Sequence, residues 1–169
     1  MGIKVILMMA QSADGIIARH NRHFPDWTCS EDKKLFKKVT QKAGALIMGS
    51  RTYAAIGRPL PGRLNIVYTR RPERFSAMPE VRLTDMAPSA LLEQLAAEGF
   101  REVILTGGAE INSLFAREGL IDELLLTVSP ILFGQGLSMF AEPLAFTLRL
   151  LEESKLDRDT LLLRYRIVK

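Results

Sequence analysis

Short apolar runs alternate with longer segments of helical character along most of the chain. A run such as Ala45–Met48 has no polar position, which is typical of a strand that is buried on both faces of a sheet. Between such runs, apolar residues recur at the spacing of a helix that packs one face against a core. The pattern predicts strands at Lys4–Ala10, Ala45–Met48, Asn65–Tyr68, Glu102–Thr106, Leu124–Ile131, Phe146–Leu151 and Thr160–Val168.

The segments between these strands predict helices. The first helix opens near Thr28, because Thr28 and Glu31 form a candidate capping box and Ser30 is a second possible N-cap. A later helix has Pro88 in its first turn and ends before Gly99, as the backbone preferences of proline and glycine favour. The predicted helices run from Thr28 to about Lys42 and over Arg51–Ile56, Pro88–Glu98 and Ala109–Arg117.

The order of these elements indicates the fold class. Strands that alternate with helices imply right-handed crossovers and a parallel sheet with helices on both faces. The last two strands have no helix between them and predict an antiparallel hairpin at one edge. We therefore expect an α/β fold with three layers around a mainly parallel central sheet. A chain of 169 residues, 47% of them hydrophobic, is typical of a single domain, here expected to span residues 1–169.

Composition and charge narrow the classes of function. One cysteine, Cys29, rules out a disulfide within the chain, and the N-terminal residues lack a signal-peptide pattern, so we expect a cytoplasmic protein. No apolar run is long enough to cross a bilayer, and we expect no membrane partner. The net charge of +4 suits anionic small molecules, whereas the basic residues form no dense tract for nucleic acid. His20 and His23 beside one cysteine offer no tetrahedral metal set, and both are interpreted as loop surface.

Two turns rich in glycine, proline or arginine lie between the second and third strands. Gly49–Thr52 takes the chain from strand to helix, where free N–H groups and the helix dipole favour an anion. Arg58–Arg63 holds two guanidinium groups on a loop stiffened by prolines, which could clamp a carboxylate or phosphate. Taken alone, each arginine is better interpreted as a solvated loop charge. Because strand ends of open α/β sheets form one rim, the turns at Gly49, Thr69 and Gly107 should share it.

Asp32 is the acidic residue that most strongly indicates chemistry. Leu35, Phe36 and Val39 follow it at three, four and seven residues, so its carboxylate lies on the helix stripe that faces the core. A charge in that position is costly unless a partner or ligand bonds to it. A half-exposed acidic residue favoured by the helix dipole is an equally good interpretation from these residues alone.

The stretch Ile47–Val67 resembles the core signature of dihydrofolate reductases. It reads IMGSRTYAAIGRPLPGRLNIV and keeps the family's glycines, threonine, Gly-Arg-Pro-Leu-Pro-Gly-Arg loop and following strand, with one departure at the second position after Gly49. The resemblance implies a dihydrofolate-reductase-like fold and the reduction of 7,8-dihydrofolate to tetrahydrofolate. The substrate would be the small molecule dihydrofolate, and the cofactor would be NADPH.

The resemblance also implies roles for single residues. Family members have a tryptophan five residues before the acidic residue that holds the pterin, and Trp27 stands at that distance from Asp32. The carboxylate would accept hydrogen bonds from the pterin's amino group and ring N–H, supported by the hydroxyl of Thr127. Without the resemblance, Thr127 is equally a β-branched strand residue. The candidate catalytic residues are Asp32, Trp27 and Thr127, and the candidate substrate-binding residues are Met9, Phe36, Ile56, Leu60 and Arg63, with Arg63 on the α-carboxylate of the folate tail.

Glycine turns imply the cofactor site. Gly107 and Gly108 let the backbone approach a pyrophosphate at a helix start, although such a pair is equally a tight turn. Many family members have an arginine against the 2′-phosphate after Gly49, where this chain has Ser50, and Asn112 replaces the usual tyrosine beyond the glycine pair. Arg51, Arg70 and Arg71 could supply the positive charge that Ser50 lacks. The candidate cofactor-binding residues are Ala10, Ile17, Gly49, Ser50, Arg51, Thr52, Thr69, Arg70, Arg71, Gly107, Gly108, Ala109, Glu110 and Ile111.

The chain resembles a sister family as well. Ser12–Gly15, Asp122–Glu123 and Pro130–Gly136 look like the reductase domain of riboflavin biosynthesis, a dimeric domain that reduces the ribosyl group of a pyrimidine phosphate with NADPH. The alternative function is reduction of such a ribosylaminopyrimidine phosphate or another pterin-like substrate, by a monomer or a homodimer. A third alternative is a nucleotide-binding module without enzymatic activity. In the dihydrofolate reductase, the loop Asp14–Trp27 would be mobile and close over the site.

Overall fold

The computed structural model describes residues 2–23 and 25–169. Strands and helices alternate until the last three strands, which follow one another. In chain order the elements are β1 (Lys4–Ser12), α1 (Ser30–Ala43), β2 (Ala45–Gly49), α2 (Ser50–Ile56), β3 (Leu64–Tyr68), a 3₁₀ turn (Pro72–Arg74), β4 (Val81–Thr84), α3 (Pro88–Ala97), β5 (Glu102–Leu105), α4 (Ala109–Arg117), β6 (Glu123–Ser129), β7 (Thr147–Lys155) and β8 (Leu161–Val168).

The described strands form an eight-stranded mixed sheet in the order β4-β3-β2-β5-β1-β6-β8-β7. The pairs from β4 to β6 are parallel, whereas β8 pairs antiparallel with β6 and β7. Leu91, Leu95 and Phe115 from α3 and α4 pack on one face, and Val39 and Tyr53 from α1 and α2 pack on the other. The predicted three-layer α/β fold with an antiparallel C-terminal hairpin is confirmed. Within the described ranges, no helix is long and apolar enough to cross a membrane.

The start of α1 differs from the predicted capping box. Cys29 is the N-cap residue, and the described side chains make no capping hydrogen bond there. The Thr28 hydroxyl donates instead to the Pro25 carbonyl at 3.4 Å, and the Ser30 hydroxyl donates to Glu31. The capping prediction is therefore wrong, because these hydroxyls have closer partners outside the helix backbone.

β4 is an element that the sequence interpretation missed. Val81–Thr84 pairs parallel with β3 at the edge of the sheet. A strand of four residues with one charged position gives a weak periodic signal, and its pairing with β3 decides its conformation.

The loops after the central parallel strands meet at one rim, as predicted. The Gly49 N–H at the end of β2 donates to the Gly107 carbonyl after β5 at 2.8 Å, and the Thr69 N–H after β3 donates to the Thr84 carbonyl at 2.9 Å. The parallel register of β2 with both β3 and β5 brings their carboxyl ends together. This rim is where open α/β sheets bind ligands.

Glu123 joins β1, β6 and β8 through a buried carboxylate that is 4% exposed. Lys4 Nζ lies 2.6 Å from one carboxylate oxygen, and Arg164 Nε donates to the other at 2.8 Å. Burial alone would raise the pKa of Glu123, but the bonds from Lys4 and Arg164 outweigh it and lower the pKa. Glu123 therefore stabilises the fold while it is ionised.

We predict that Glu123→Gln lowers the free energy of unfolding by about 2 kcal/mol at pH 7, because hydrogen bonds to a charged group are lost. A carboxyl whose pKa is lowered by folding contributes stability above its unfolded pKa and loses that contribution as pH falls through its folded pKa. Urea denaturation from pH 7 to pH 3 should thus show the difference between variant and wild type shrinking with acid. Glu153→Gln on exposed β7 is the control and should change little. A constant difference down to pH 3 would contradict the prediction.

Candidate active site

A cleft of about 1400 Å³ lies over the carboxyl ends of β1, β2, β3 and β5. Its walls come from α1, α2 and α4 and from the loops that follow β1, β4 and β6. Most of the residues named from the sequence line it, and these are Met9, Ala10, Ile17, Trp27, Asp32, Phe36, Gly49, Ser50, Arg51, Thr52, Ile56, Leu60, Thr69, Arg70, Gly108, Ala109, Glu110 and Ile111. The cleft as the described residues form it is not lined by Thr127, Arg63, Arg71 or Gly107.

Asp32 lies in the first turn of α1 with 9% of its surface exposed. Leu35, Phe36 and Val39 pack against the core cluster beneath the helix and turn Asp32 toward the cleft. The Thr127 hydroxyl on β6 donates to Asp32 Oδ1 at 2.6 Å. Thr127 is buried behind the cleft. Its hydroxyl bonds to Asp32 and fixes one carboxylate oxygen within the fold.

Trp27 lines the same cleft as Asp32. Its indole Nε1 is buried and has no hydrogen-bond partner among the described residues. Its ring meets Phe133 edge-on at 5.3 Å between ring centroids. Together with Phe36, the indole adds apolar surface to the cleft that Asp32 also lines, and an apolar environment strengthens a hydrogen bond made within it.

The loop Arg58–Arg63 is held in shape by Asn65, a fully buried residue of β3. Asn65 Oδ1 accepts from the Leu60 N–H at 2.9 Å, and Asn65 Nδ2 donates to the carbonyls of Leu60 at 2.9 Å and Arg63 at 3.0 Å. Asn65 was missed as a site residue, although a single amide inside an otherwise apolar strand is the signal that could have found it. It fixes Leu60 at the cleft.

Arg63 is 8% exposed. Its Nε and Nη1 atoms are buried without a hydrogen-bond partner in the described part of the chain. Burial lowers the pKa of the guanidinium. A buried cation with unpaired donors destabilises a fold. Unpaired donors of this kind are expected in a group that binds an anion from outside the chain.

The two glycine turns lie side by side at the rim, because the Gly49 N–H donates to the Gly107 carbonyl at 2.8 Å. Gly107 has a φ of +91°, a conformation that favours glycine. A side chain at Gly49 would come within 3.0 Å of Ile111, and one at Gly108 would lie 3.6 Å from the Thr52 hydroxyl. The helices that follow, α2 and α4, receive no capping bond from a described side chain. Two uncapped helix starts behind glycine form a cradle of backbone N–H groups that suits a pyrophosphate.

The charges near this cradle are arranged differently from the sequence expectation. Arg51 Nη1 lies 3.1 Å from Glu110, so these two candidate cofactor residues pair with each other. Arg70 and Arg71 are exposed, and within the described ranges neither forms an ion pair. The Arg71 N–H donates to the Thr69 hydroxyl at 3.0 Å, which shapes the turn. Arg70 is therefore the unpaired cation on the cleft wall after β3.

Several cleft residues were missed by the sequence analysis. His20 and His23 were interpreted as loop surface, yet they line the cleft, and their Nδ1 atoms accept the N–H groups of Arg22 and Arg19. Residues 85–88 and 136–141 add two further wall segments. The second is tied to α4, because Asn112 Nδ2 donates to the Met139 carbonyl at 2.8 Å. Only the fold brings these loops to the rim, so no local pattern indicated them.

Cys29, Glu31 and Asp157 come together outside the cleft, with their ligand-type atoms within 4.8 Å of one another. The trio has partners of its own. Glu31 bonds Ser30 and Lys34, and Asp157 accepts the N–H groups of Asp159 and Thr160. These bonds satisfy the carboxylates without an ion.

Comparison with known proteins identifies the family. Residues 4–137 match the sequence model of dihydrofolate reductase. The chain belongs to the dihydrofolate reductase family. It is therefore related to reductases that use a nicotinamide cofactor. Dihydrofolate reductase type 3 of Salmonella typhimurium is 33% identical over 107 residues, which cover 63% of this chain and 61% of that protein.

Solved structures of riboflavin-pathway proteins share the fold. Acinetobacter baumannii RibD has a TM-score of 0.86 at 24% identity, covering 99% of this chain and 59% of that one. A diaminohydroxyphosphoribosylaminopyrimidine deaminase/5-amino-6-(5-phosphoribosylamino)uracil reductase of Thermotoga maritima has a TM-score of 0.82 at 18% identity, covering 99% and 57%. The chain thus spans less than two thirds of these larger proteins. At such identities the likeness concerns the fold alone.

We predict that Asn65→Leu lowers the free energy of unfolding by about 3 kcal/mol, because it leaves buried backbone groups of Leu60 and Arg63 unpaired. Gln41→Leu is the matched control, since Gln41 donates one exposed hydrogen bond of 3.3 Å to Pro61 in the same loop. Its effect should stay within about 0.5 kcal/mol. Urea denaturation of both variants measures the difference, and equal losses would show that the amide network does not hold the loop.

Proposed function

We propose that this protein reduces 7,8-dihydrofolate to tetrahydrofolate with NADPH. The observation that carries the proposal is the Asp32 carboxylate, buried and bonded by Thr127, in a cleft that Trp27 and Phe36 also line. Such a carboxylate suits a flat heterocycle with adjacent N–H donors and an apolar ring face. Membership in the dihydrofolate reductase family supports the same substrate.

Asp32 would bind and orient the pterin. Thr127 holds Oδ1, and Oδ2 accepts no hydrogen bond from the described residues, so it is free to accept one from the ligand. The pterin's amino group and ring N–H would donate to the carboxylate, which favours protonation of the ring nitrogen next to the carbon that is reduced. Phe36, Ile56 and Leu60 would enclose the rest of the ring system and exclude water.

NADPH supplies the hydride when it is bound. The backbone of Gly49, Gly107 and Gly108 would hold its pyrophosphate, because a side chain at Gly49 would come within 3.0 Å of Ile111 and Gly107 has a φ of +91°. Arg70 on the cleft wall would bind the 2′-phosphate in place of the arginine that Ser50 replaces. Ala10 and Ile17 would form the apolar surroundings of the nicotinamide.

Arg63 would bind the α-carboxylate of the folate tail. Its buried, unpaired Nε and Nη1 atoms support this role, because an incoming carboxylate would satisfy them in the bidentate geometry that arginine favours. Arg63 does not line the cleft, so the tail would extend past Leu60 to reach it.

A second candidate function is reduction of the ribosyl group of a ribosylaminopyrimidine phosphate. It is favoured by the fold shared with the Thermotoga maritima enzyme, whose name includes a uracil reductase. The resemblance of Asp122–Glu123 and Pro130–Gly136 to that branch supports it as well. In that reaction, Arg58 or Arg63 would bind a phosphate, and the carboxylate of Asp32 would need another partner in the substrate.

We predict that Asp32→Asn lowers kcat/KM for dihydrofolate at pH 7 by about 100-fold or more, because the amide presents a donor where the pterin needs acceptors. Glu31→Gln is the matched control: Glu31 is the neighbouring acid on the same turn, bonded to Lys34 outside the cleft. Its steady-state kinetics should equal those of the wild type. Unchanged dihydrofolate turnover in Asp32→Asn would refute the assignment of this carboxylate.

We predict that Arg63→Met raises KM for dihydrofolate about tenfold or more and leaves KM for NADPH unchanged. The free energy of unfolding should stay the same or rise by up to about 2 kcal/mol, because a buried cation without partners is removed. Arg158→Met, at a side chain that is 93% exposed, is the control for both measurements. A large loss of stability with unchanged KM would mean that Arg63 is structural.

A further inference from the structure

The loop after β1 is tied along its length to the loop after β6. We call residues 14–23 and 25–27 the lid loop and residues 131–137 the strap. The Ala13 N–H donates to the Ile131 carbonyl at 2.8 Å just before the lid loop begins. Further along, the Ile17 N–H donates to the Leu137 carbonyl at 2.9 Å, and the Leu137 N–H donates to the Ala18 carbonyl at 2.7 Å. Backbone hydrogen bonds thus hold the first half of the lid loop against the strap.

The Asp14 carboxylate adds a second attachment. It accepts the Phe133 N–H at 3.2 Å and the Gly134 N–H at 2.6 Å, and it is bonded by the Ser12 hydroxyl. These bonds, that of Ser12 being the strongest influence, lower the pKa of Asp14, so it is ionised at neutral pH. The strap is therefore fixed close to Phe133 by an ionised acceptor.

The Phe133 ring contacts the second half of the lid loop. The Arg19 guanidinium lies over the ring at 4.8 Å from its centroid, and the His23 ring meets it at 5.8 Å. Trp27 packs against it edge-on, at 5.3 Å and an interplanar angle of 90°. The preceding residue of the strap, Leu132, is 73% exposed and takes no part in these contacts. One aromatic side chain therefore joins three lid residues that are spread over nine positions of sequence.

We propose that Phe133 is a positioning residue that sets the orientation of the Trp27 indole and holds the lid loop over the cleft. Phe133 does not line the cleft, whereas Trp27 and His23 do, so its effect passes through them. An edge-on aromatic contact is directional and fixes the plane of the indole more closely than an aliphatic contact of the same volume. The consequence for catalysis rests on the proposed function, because it requires that Trp27 faces the substrate.

Fluorescence tests the positioning without any substrate. Trp27 is the chain's only tryptophan, so intrinsic emission reports this residue alone. We expect Phe133→Leu to shift the emission to longer wavelength and to increase acrylamide quenching about twofold or more, because the indole gains exposure and motion. Phe133→Tyr keeps the edge contact and should resemble the wild type. Leu132→Ala is the matched control on the adjacent residue and should also leave the emission unchanged.

Steady-state kinetics test the consequence. Phe133→Leu should lower kcat/KM for dihydrofolate by about 10- to 100-fold through misplacement of Trp27. Phe133→Tyr and Leu132→Ala should retain wild-type values. Should Phe133→Leu not fold, Asp14→Asn, which weakens the same attachment from the lid side, is measured in its place.

The possible results separate the positioning from the proposed function. Unchanged Trp27 emission in folded Phe133→Leu overturns the positioning role, whereas changed emission with wild-type kcat/KM overturns its consequence for catalysis. If the wild type itself does not turn over dihydrofolate, the proposed function fails. In that case the emission of Phe133→Leu against that of Phe133→Tyr still decides whether Phe133 orients Trp27.

Discussion

The site depends on one hydrogen bond between residues that are 95 positions apart, from the Thr127 hydroxyl to the Asp32 carboxylate. A carboxylate buried to this degree destabilises a fold unless it is bonded. The bond requires α1 to turn its first residues toward β6, and it requires β6 to lie beside β1 in the parallel register that places Thr127 next to Ala10. The position of the Asp32 carboxylate therefore depends on the order of the strands in the sheet.

The features that follow from local pattern were accessible from the sequence. The apolar run Ala45–Met48 predicts a strand buried on both faces, and β2 is such a strand. The spacing of Leu35, Phe36 and Val39 indicates an inward-facing Asp32 as one of two equal interpretations, the resemblance favours it, and Asp32 is 9% exposed. These inferences succeed because burial in a layered α/β fold follows directly from the period of the apolar residues.

The features that depend on which partner a polar side chain bonds in the folded chain were not accessible. The hydroxyl of Thr28 has a backbone partner in Pro25, which no capping pattern reveals. Wall residues such as Phe140 reach the cleft because Asn112 and Ser113 of α4 bond the segment at Met139 and Ala141. Asn112 stands where the family usually has a tyrosine, and its amide anchors that wall. At this position, where the chain departs from the family pattern, the side chain of Asn112 therefore links α4 to the cleft wall.

The most direct test of the account is NADPH oxidation by the purified protein, with dihydrofolate in one reaction and 5-amino-6-(5-phosphoribosylamino)uracil in the other. The account predicts that NADPH is consumed with dihydrofolate and not with the pyrimidine phosphate, because Asp32 with Thr127 presents acceptors to a pterin. NADPH consumption with the pyrimidine phosphate alone would contradict it and would make Arg58 and Arg63 candidate phosphate ligands.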